Sequence, residues 1–369
     1  MNDIALEASP FAPFTTGRLT LRNRIVMAPM TRSRAVDTRA TDDMVDYYRQ
    51  RAGAGLIITE GTQPSPIGQG YPDTPGLHSA AQVEAWAKVT AAVHEAGGTI
   101  VAQLMHVGRL AHPDTTEAAG HGRLTPVAPS AIAARGQIHT PTGQQDLVTP
   151  SALTEGQVDE TIADFAAAAE NAIAAGFDGV EVHGANGYLL HQFLSANANL
   201  RTDRWGGSVE NRLRFPIAVV AAVAAAIGAD RTGLRISPNN GLGDTDEPDA
   251  AAVYPQLVEA LDPIGLAYLH LVEAGAPELT PRIRDAWHSA LLLNPVGPDL
   301  SAHSARLDLI TGGTADLVSF GRLFIANPDL VERLASGAEL ASPDMTKAYG
   351  GGREGYADYP ALDESRVLA

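Results

Sequence analysis

The segment Val180-Glu181-Val182-His183, which continues as Gly184-Ala185-Asn186-Gly187-Tyr188, contains the pattern that decides the fold. Its first four residues alternate between apolar and polar side chains, which indicates a β-strand with two different faces. The valines suit a face covered by helices, so Glu181 and His183 point the other way. Inward-facing polar residues near the end of a strand are expected in a closed parallel barrel, where functional side chains gather at the C-terminal strand ends.

Seven further β-rich runs occur along the chain and are separated mostly by Ala-rich or amphipathic segments. The eight runs are residues 25–28, 56–60, 100–104, 180–183, 234–237, 268–272, 291–294 and 317–320, and the helical segments include 80–96, 155–175, 212–226, 250–261 and 328–334. This alternation predicts an α/β fold, a single (β/α)₈ TIM barrel over residues 1–369. The competing fold is a doubly wound sheet, which usually has a Gly-rich phosphate turn after its first strand. Here that strand continues instead into Ala28-Pro29-Met30-Thr31.

A long stretch rich in Gly, Pro and Thr follows the third predicted strand, at about residues 106–150. Within it, the alternating run 137–140, the turn residues Pro141-Thr142-Gly143 and the run 146–148 predict a β-hairpin. Insertions at the C-terminal end of a barrel strand commonly cover an active site. We therefore expect this insertion to cap the site.

Composition narrows the possible functions. The chain of 369 residues has a formal net charge of −17 and no cysteine. The negative charge disfavours nucleic acid and anionic membranes as partners, and the lack of thiols excludes disulfides and thiolate metal sites. No apolar run of about 18 residues predicts a membrane-spanning helix, and residues 1–10 do not resemble a signal peptide. We expect a cytoplasmic monomer or homodimer that acts on small molecules and needs no metal.

Polar side chains from neighbouring strands are expected to meet inside the barrel. Alternation along the strands directs Gln103 and Arg235 inward, beside His183. The Gln103 amide offers a donor next to an acceptor, which suits a ring edge with adjacent N–H and C=O groups, such as the flavin pyrimidine. An inward arginine is costly unless an electron-rich group meets it, and Arg235 could stabilise negative charge on the reduced ring. The simpler structural alternative is that Arg235 pairs with Glu181.

The residues after the fourth predicted strand suggest a site for a carbonyl group. His183 and Asn186 can both donate hydrogen bonds to one acceptor oxygen, and one such donor to a developing enolate is typically worth about 3 kcal/mol. The Tyr188 hydroxyl is protonated at neutral pH and can act as a proton donor. Structural alternatives remain open here: His183 as a hydrogen-bonded core residue, and Tyr188 as a ring packed on the barrel rim.

The eighth predicted strand ends in Phe320-Gly321-Arg322, which is a weak signal for phosphate binding. Glycine permits close approach of the backbone, the next amides begin a helix, and arginine adds a charge-assisted contact.

Several long motifs together resemble the Old Yellow Enzyme family of FMN-dependent ene-reductases, in particular its N-ethylmaleimide and morphinone reductases. The resemblance extends from about Phe14 to Pro360. The motifs are residues 23–32 (NRIVMAPMTR), 58–62 (ITEGT), 103–109 (QLMHVGR), 183–194, 199–215 with WGGSVENR at its centre, 320–330 (FGRLFIANPDL) and 355–360 (GYADYP).

The resemblance implies a role for individual residues. The residues implied to contact FMN are Pro29, Met30, Thr31, Gly61, Gln103 and Arg235, with Gly321 and Arg322 at its phosphate. The residues implied to hold the substrate are His183 and Asn186 at its carbonyl, Tyr188 as proton donor, and Tyr71 and Tyr349 at the pocket border. The implied activity is NAD(P)H-dependent reduction of activated C=C bonds in enones, enals, maleimides or nitroalkenes.

Three positions depart from the family pattern. Met105 replaces a common tryptophan, and Ala348 replaces a common phenylalanine. Relatives usually have a Gly-rich pair after the seventh strand, whereas this chain has Asn294-Pro295-Val296-Gly297. Because proline has no N–H, FMN would be held by the amides of Val296 and Gly297 in a shifted loop, or more weakly by Arg322 alone. Two alternatives stay open: a flavin-binding barrel with weak or no turnover, and a barrel hydrolase with Glu60 and Glu181 as its carboxylate pair.

Overall fold

The computed structural model describes residues 9–296 and 303–362. Its strands, in chain order, are β1 (Phe14–Thr16), β2 (Leu19–Leu21), β3 (Ile25–Met27), β4 (Leu56–Ile58), β5 (Ile100–Leu104), β6 (Val127–Ala128), β7 (Gln137–Thr140), β8 (Gly143–Asp146), β9 (Ser151–Ala152), β10 (Gly179–Gly184), β11 (Thr232–Ile236), β12 (Tyr268–Glu273), β13 (Ala290–Pro295) and β14 (Leu317–Phe320). Strands β3, β4, β5 and β10 to β14 are parallel neighbours and close into a barrel. The predicted (β/α)₈ barrel is therefore confirmed.

Helices follow most of the barrel strands. They are α1 (Asp42–Gln50), α2 (Ala80–Glu95), α3 (Pro113–Ala118), α4 (Glu155–Ala174), α5 (Leu189–Leu194), α6 (Val209–Ile227), α7 (Ala250–Leu261), α8 (Thr280–Ala286), α9 (His303–Thr311), α10 (Arg322–Ala326) and α11 (Leu330–Ser336). Local sequence fixes where the long helices begin. Thr154 and Gln157 form a reciprocal capping box at α4, and the Ser208 side chain accepts from the Asn211 N–H at α6.

The N-terminal end of the barrel is filled by an apolar cluster that we call the barrel floor. Its members are Leu19, Leu21, Val26, Leu56, Ile58, Val101, Ala267, Tyr268, Ala290, Leu292 and Leu317, each at most 7% exposed. Two of them belong to the antiparallel hairpin β1–β2, which the Arg18 N–H joins to the Asp230 carbonyl at 3.0 Å. The sequence did not predict this hairpin, because its strands have only three residues each. These side chains close the N-terminal end of the barrel interior.

The stretch after β5 contains an antiparallel hairpin, β7–β8, in which Gln137 faces Asp146 and Thr140 faces Gly143. The second strand begins three residues earlier than expected, because Pro141-Thr142 alone form the turn and Gly143 is already paired. An ion pair between Arg135 and Asp244, with Nε and Oδ1 2.8 Å apart, ties the base of the hairpin to the loop after β11. The base of the hairpin therefore lies beside the loop after β11, at the C-terminal end of the barrel.

Within the described residues, no helix is both long and apolar enough to span a membrane.

Candidate active site

The strand register brings the predicted polar residues together at the C-terminal end of the barrel. Glu181 of β10 lies opposite Gln103 of β5, and His183 lies opposite Arg235 of β11. These four side chains are at most 6% exposed. Buried polar groups require hydrogen-bond partners. The donors and acceptors that remain unpaired among these four side chains are therefore the ones available to a ligand.

Arg235 does not pair with Glu181. Its Nη2 donates to Asn294 Oδ1 at 3.1 Å, and no contact with Glu181 within 4.0 Å is present. Both carboxylate oxygens of Glu181 are taken by Gln103 and His270 instead. The Nε of Arg235 is buried and has no hydrogen-bond partner among the described residues. An orphaned guanidinium donor beside an amide is the pattern expected of a site for an electron-rich ring edge.

The hydrogen bonds of His183 determine which ring nitrogen carries its proton. The Ala185 N–H donates to His183 Nδ1 at 3.2 Å, so Nδ1 is an acceptor and the proton resides on Nε2. Burial, together with the nearby charge of Arg235, lowers the pKa of His183 well below its usual value. The neutral imidazole therefore keeps a single N–H donor over the whole neutral range.

Asn186 is held from two sides. Its backbone adopts φ 58°, a left-handed conformation that asparagine tolerates better than most residues, and its N–H donates to Ser237 Oγ at 2.8 Å. Its side-chain oxygen accepts from Asn240 Nδ2 at 2.9 Å. Because the oxygen is engaged, the amide NH₂ is the group left for a ligand. Sequence reasoning predicted Asn186 but missed Asn240 and gave Ser237 no role, since both lie more than 50 residues away.

Tyr188 lies between His183 and Tyr71. Its ring meets His183 edge-on at 5.0 Å between centroids, and its hydroxyl is 3.1 Å from that of Tyr71. Burial and the neighbouring hydroxyl raise the pKa of Tyr188 well above 10. The phenol is therefore protonated at neutral pH and can give up a proton only to a strong base, such as a developing carbanion.

A cavity of about 580 Å³ opens above these residues. It is lined by Thr31, Ser33, Tyr71, Pro72, His139, Gln144, Tyr188 and Tyr349. The hairpin β7–β8 contributes His139 and Gln144, so this segment forms one wall of the cavity. Tyr349 is 68% exposed and lies at the outer edge.

The residues expected to contact a flavin lie close together around the barrel mouth. A Cβ on Gly321 would meet the Met30 sulfur at 3.6 Å, which shows that the two positions are neighbours. A Cβ on Gly61 would lie only 2.5 Å from Cε and Sδ of Met105, so a larger residue there would have to displace the Met105 side chain. Met105, which replaces the common tryptophan, thus packs its flexible thioether against the Gly61 backbone.

The proposed phosphate site differs from the expectation at one residue. The Val296 N–H donates to the Glu273 carbonyl at 3.3 Å and its side chain is 56% exposed, so this amide is already engaged. The geometry therefore argues against Val296 as a phosphate ligand, and Gly297 lies outside the described residues. Sequence reasoning did not single out Arg306 of α9, whose guanidinium lies 5.4 Å from the ring centroid of Phe320, the residue before Gly321.

Glu60, at the end of β4, has an unusual ionisation. Its oxygens accept from Tyr48 Oη and the Arg32 N–H, both at 3.3 Å. Burial raises the pKa of Glu60 from 4.5 to about 7. The folded protein holds this proton more tightly than the unfolded chain does. The contribution of Glu60 to the free energy of unfolding is therefore fully present below pH about 4.5, and it decreases by roughly 3 kcal/mol as the pH rises to about 7.

We expect Glu60→Gln to remove this dependence in the apoprotein. The difference in unfolding free energy between wild type and variant, measured by urea denaturation from pH 4 to 8, should change by about 3 kcal/mol. Other titrating groups cancel in that difference. A difference that stays constant over this pH range would contradict an elevated pKa for Glu60.

Residues 9–341 match the model of the NADH:flavin oxidoreductase / NADH oxidase family. The chain belongs to this family. An Old Yellow Enzyme homologue from Zymomonas mobilis superimposes with a TM-score of 0.91 at 40% identity, covering 96% of this chain and 100% of that one. The resemblance to the Old Yellow Enzyme family is therefore confirmed.

Two further relatives support the same assignment. Morphinone reductase has a TM-score of 0.91 at 41% identity, covers 97% of each chain, and has also been solved in complex with tetrahydroNAD. A probable flavin mononucleotide-dependent alkene reductase of Leishmania infantum is 40% identical over 95% of this flavin oxidoreductase and 96% of its own length. Family membership argues against the hydrolase alternative, as does the complete engagement of Glu181.

Proposed function

We propose that this protein is an FMN-dependent, NAD(P)H-driven reductase of activated C=C bonds in α,β-unsaturated carbonyl or nitro compounds. One observation carries the proposal. His183 and Asn186 each have one side-chain acceptor already engaged and one N–H group left over, beside the protonated hydroxyl of Tyr188. Two oriented donors and one acid are what the polarisation and protonation of an enone require.

The residues present fit FMN. Gln103 and the orphaned Nε of Arg235 would meet the pyrimidine edge, and Pro29, Met30, Thr31 and Gly61 would line the ring. Gly321 and Arg322 would hold the phosphate, and the lack of a side chain at Gly321 permits close approach of the backbone. Bound FMN supplies hydride transfer between NAD(P)H and the alkene, which no side chain of the protein can perform.

His183 and Asn186 would bind the oxygen conjugated to the alkene. As hydride arrives at the β-carbon, negative charge grows on that oxygen, and both donors then bind it more strongly than in the ground state. The carboxamide oxygen of a nicotinamide is a similar acceptor. The same donors can therefore orient NAD(P)H and enone in turn, without a separate dinucleotide-binding domain.

Tyr188 would give its proton to the α-carbon. The product then gains one hydride and one proton across the former double bond, and the phenolate is reprotonated from solvent. The Tyr71 hydroxyl, 3.1 Å away, orients the acid and can donate to the phenolate oxygen as it forms.

The purified protein tests this proposal directly. It should be yellow, should bleach anaerobically on addition of NADH or NADPH, and should recover its colour on addition of cyclohexenone. Colourless protein that refuses added FMN would contradict the proposal. Bleaching without recovery by any member of an enone, maleimide and nitroalkene panel would favour the alternative of a flavin-binding barrel without turnover.

We expect Arg322→Ala to weaken FMN binding while sparing riboflavin, which lacks the phosphate. Loss of a charge-assisted contact costs about 1.5–3 kcal/mol, which corresponds to about 10- to 100-fold in Kd. Fluorescence titration of apoprotein with each flavin measures the effect. Arg214→Ala is a suitable control, because Arg214 forms an exposed ion pair with Glu210 on α6. Equal losses for FMN and riboflavin would remove Arg322 from the phosphate site.

A further inference from the structure

A chain of hydrogen bonds crosses the barrel interior at the level of Glu181. Gln103 Nε2 donates to Glu181 Oε1 at 2.7 Å, and Glu181 Oε2 lies 2.9 Å from His270 Nδ1. On the far side, His270 Nε2 lies 3.0 Å from Ser319 Oγ. Glu181, His270 and Ser319 are completely buried. The proposed chemistry above assigns no role to these three residues, although a fully buried carboxylate is costly to maintain.

Glu181 is the anionic member of this chain. Burial favours the neutral acid, but His270, Arg235 and Gln103 outweigh it, so the pKa of Glu181 lies below its usual value. Burial also lowers the pKa of His270 despite the nearby carboxylate. Neutral His270 with its proton on Nδ1 donates to Glu181, and its Nε2 is then an acceptor for the Ser319 hydroxyl, whose other acceptor is the Leu293 carbonyl at 3.4 Å. One negative charge remains, and it resides on Glu181.

This charge lies one layer below the site at the barrel mouth. Glu181 is opposite Gly233 on β11, whereas Arg235 is two residues further along and opposite His183. The two side chains thus interact through space without a hydrogen bond. Gln103 links Glu181 to the site at the barrel mouth, because one of its amide hydrogens is bonded to the Glu181 carboxylate. The amide is thereby fixed, and its carbonyl oxygen and second hydrogen are left for a ring above.

We propose that Glu181 is a positioning residue that sets the reduction potential of the bound flavin, by fixing the Gln103 amide and by opposing the charge of Arg235. The inference rests on the proposed function, since it presumes FMN at the barrel mouth. Hydride transfer from NAD(P)H moves two electrons and one proton, leaves NAD(P)⁺, and adds one negative charge to the cofactor site. Arg235 favours that added charge and Glu181 disfavours it. Their balance decides how readily hydride enters and leaves.

The variant Glu181→Gln tests this balance because it keeps the shape and an acceptor for Gln103 but removes the charge. We expect it to favour the reduced over the oxidised cofactor about tenfold relative to wild type, as a unit charge acting through a protein interior can do. A tenfold change corresponds to about 30 mV upward for a two-electron couple. Anaerobic titration of the FMN-loaded proteins against a reference dye measures the shift. Stopped-flow kinetics should show faster reduction by NAD(P)H and slower oxidation by enone.

Two controls separate charge from structural damage. Glu181→Asp keeps the charge, so its potential should lie closer to wild type than that of Glu181→Gln. Glu247→Gln removes another buried carboxylate with histidine and tyrosine partners, Glu247 being 2.8 Å from His191 Nε2 and 2.9 Å from Tyr254 Oη. That cluster joins α5 and α7 outside the barrel interior. The reduction potential of the FMN-loaded Glu247→Gln protein should therefore equal the wild-type value.

The outcomes distinguish this inference from the proposed function. Wild-type protein that binds no FMN overturns both. Yellow wild type and yellow Glu181→Gln with equal potentials overturn the role of Glu181 alone, as does an equal shift in Glu247→Gln. Where Glu181→Gln does not fold, the double variant Glu181→Gln/His270→Gln replaces the pair by two amides that can still bond, and it must show the same upward shift.

Discussion

We expect Tyr188→Phe to slow enone reduction by about 10²- to 10⁴-fold, the usual contribution of a general acid. Reduction of the cofactor by NAD(P)H should stay near the wild-type rate, because that step requires no proton from the protein. Stopped-flow measurement of the two half-reactions separates the effects. The physical reason is the raised pKa of Tyr188, which keeps the phenol protonated until a carbanion develops beside it.

Tyr71→Phe is the matched control for this prediction, since it removes the other hydroxyl of the pair and leaves the ring. It should cost much less than Tyr188→Phe, because Tyr71 orients the acid and donates to the phenolate but gives no proton to the substrate. Equal losses in the two variants would mean that the acid is the hydroxyl pair rather than Tyr188. An unchanged rate of enone reduction in Tyr188→Phe would refute its role altogether.

His183→Ala should differ from Tyr188→Phe, because it should impair both half-reactions. Removal of one donor to a developing oxyanion typically costs about 10²- to 10³-fold, and the same Nε2–H is expected to orient the nicotinamide. We expect the reduction of the cofactor by NAD(P)H and its oxidation by enone to slow together. Anaerobic stopped-flow traces at saturating nucleotide and at saturating enone provide the two rates.

Asn240→Ala complements the His183 variant. It removes the partner of the Asn186 amide oxygen but leaves His183 and Asn186 in place, so it should weaken both half-reactions to a smaller extent. A His183→Ala protein that loses only enone reduction would show that NAD(P)H binds elsewhere. That result would separate the two ligand positions, which the proposed mechanism treats as one.

The barrel and the four inward polar residues were predictable because both depend on local alternation. A strand with one helix-covered face must send its other side chains inward, so Val180 and Val182 determine where Glu181 and His183 point. Chain order then predicts that parallel strands bring their ends together. The register of β10 with β5 and β11 confirms this placement.

The partners of these residues were not predictable in the same way. Contacts such as Arg235–Asn294 and Asn186–Asn240 join loops and strands that are 50 residues or more apart. Pairing of Arg235 with Glu181 was a reasonable alternative from charge alone, but it is wrong. The two residues are offset by two positions in the register, and neutral His270 was not recognised as a partner because its strand reads as apolar.

Short elements were also missed, for a different reason. The strands β1 and β2 have three residues each, too few to show a period. The second strand of the hairpin β7–β8 was placed too late, because Gly143 was taken as part of the turn although it is paired with Thr140. Helix α1 was not predicted, although Thr41 caps its first turn.

The apolar barrel floor has a consequence for how the protein responds to its surroundings. Counter-ions weaken the field of a charge only where they can approach it, and Leu19, Leu21 and Tyr268 close off the side of the barrel below Glu181. Ionic strength can therefore alter how fast a charged nucleotide reaches the mouth without altering the field inside. If Glu181 has the proposed role, the reduction potential of the bound flavin should therefore change little with salt concentration.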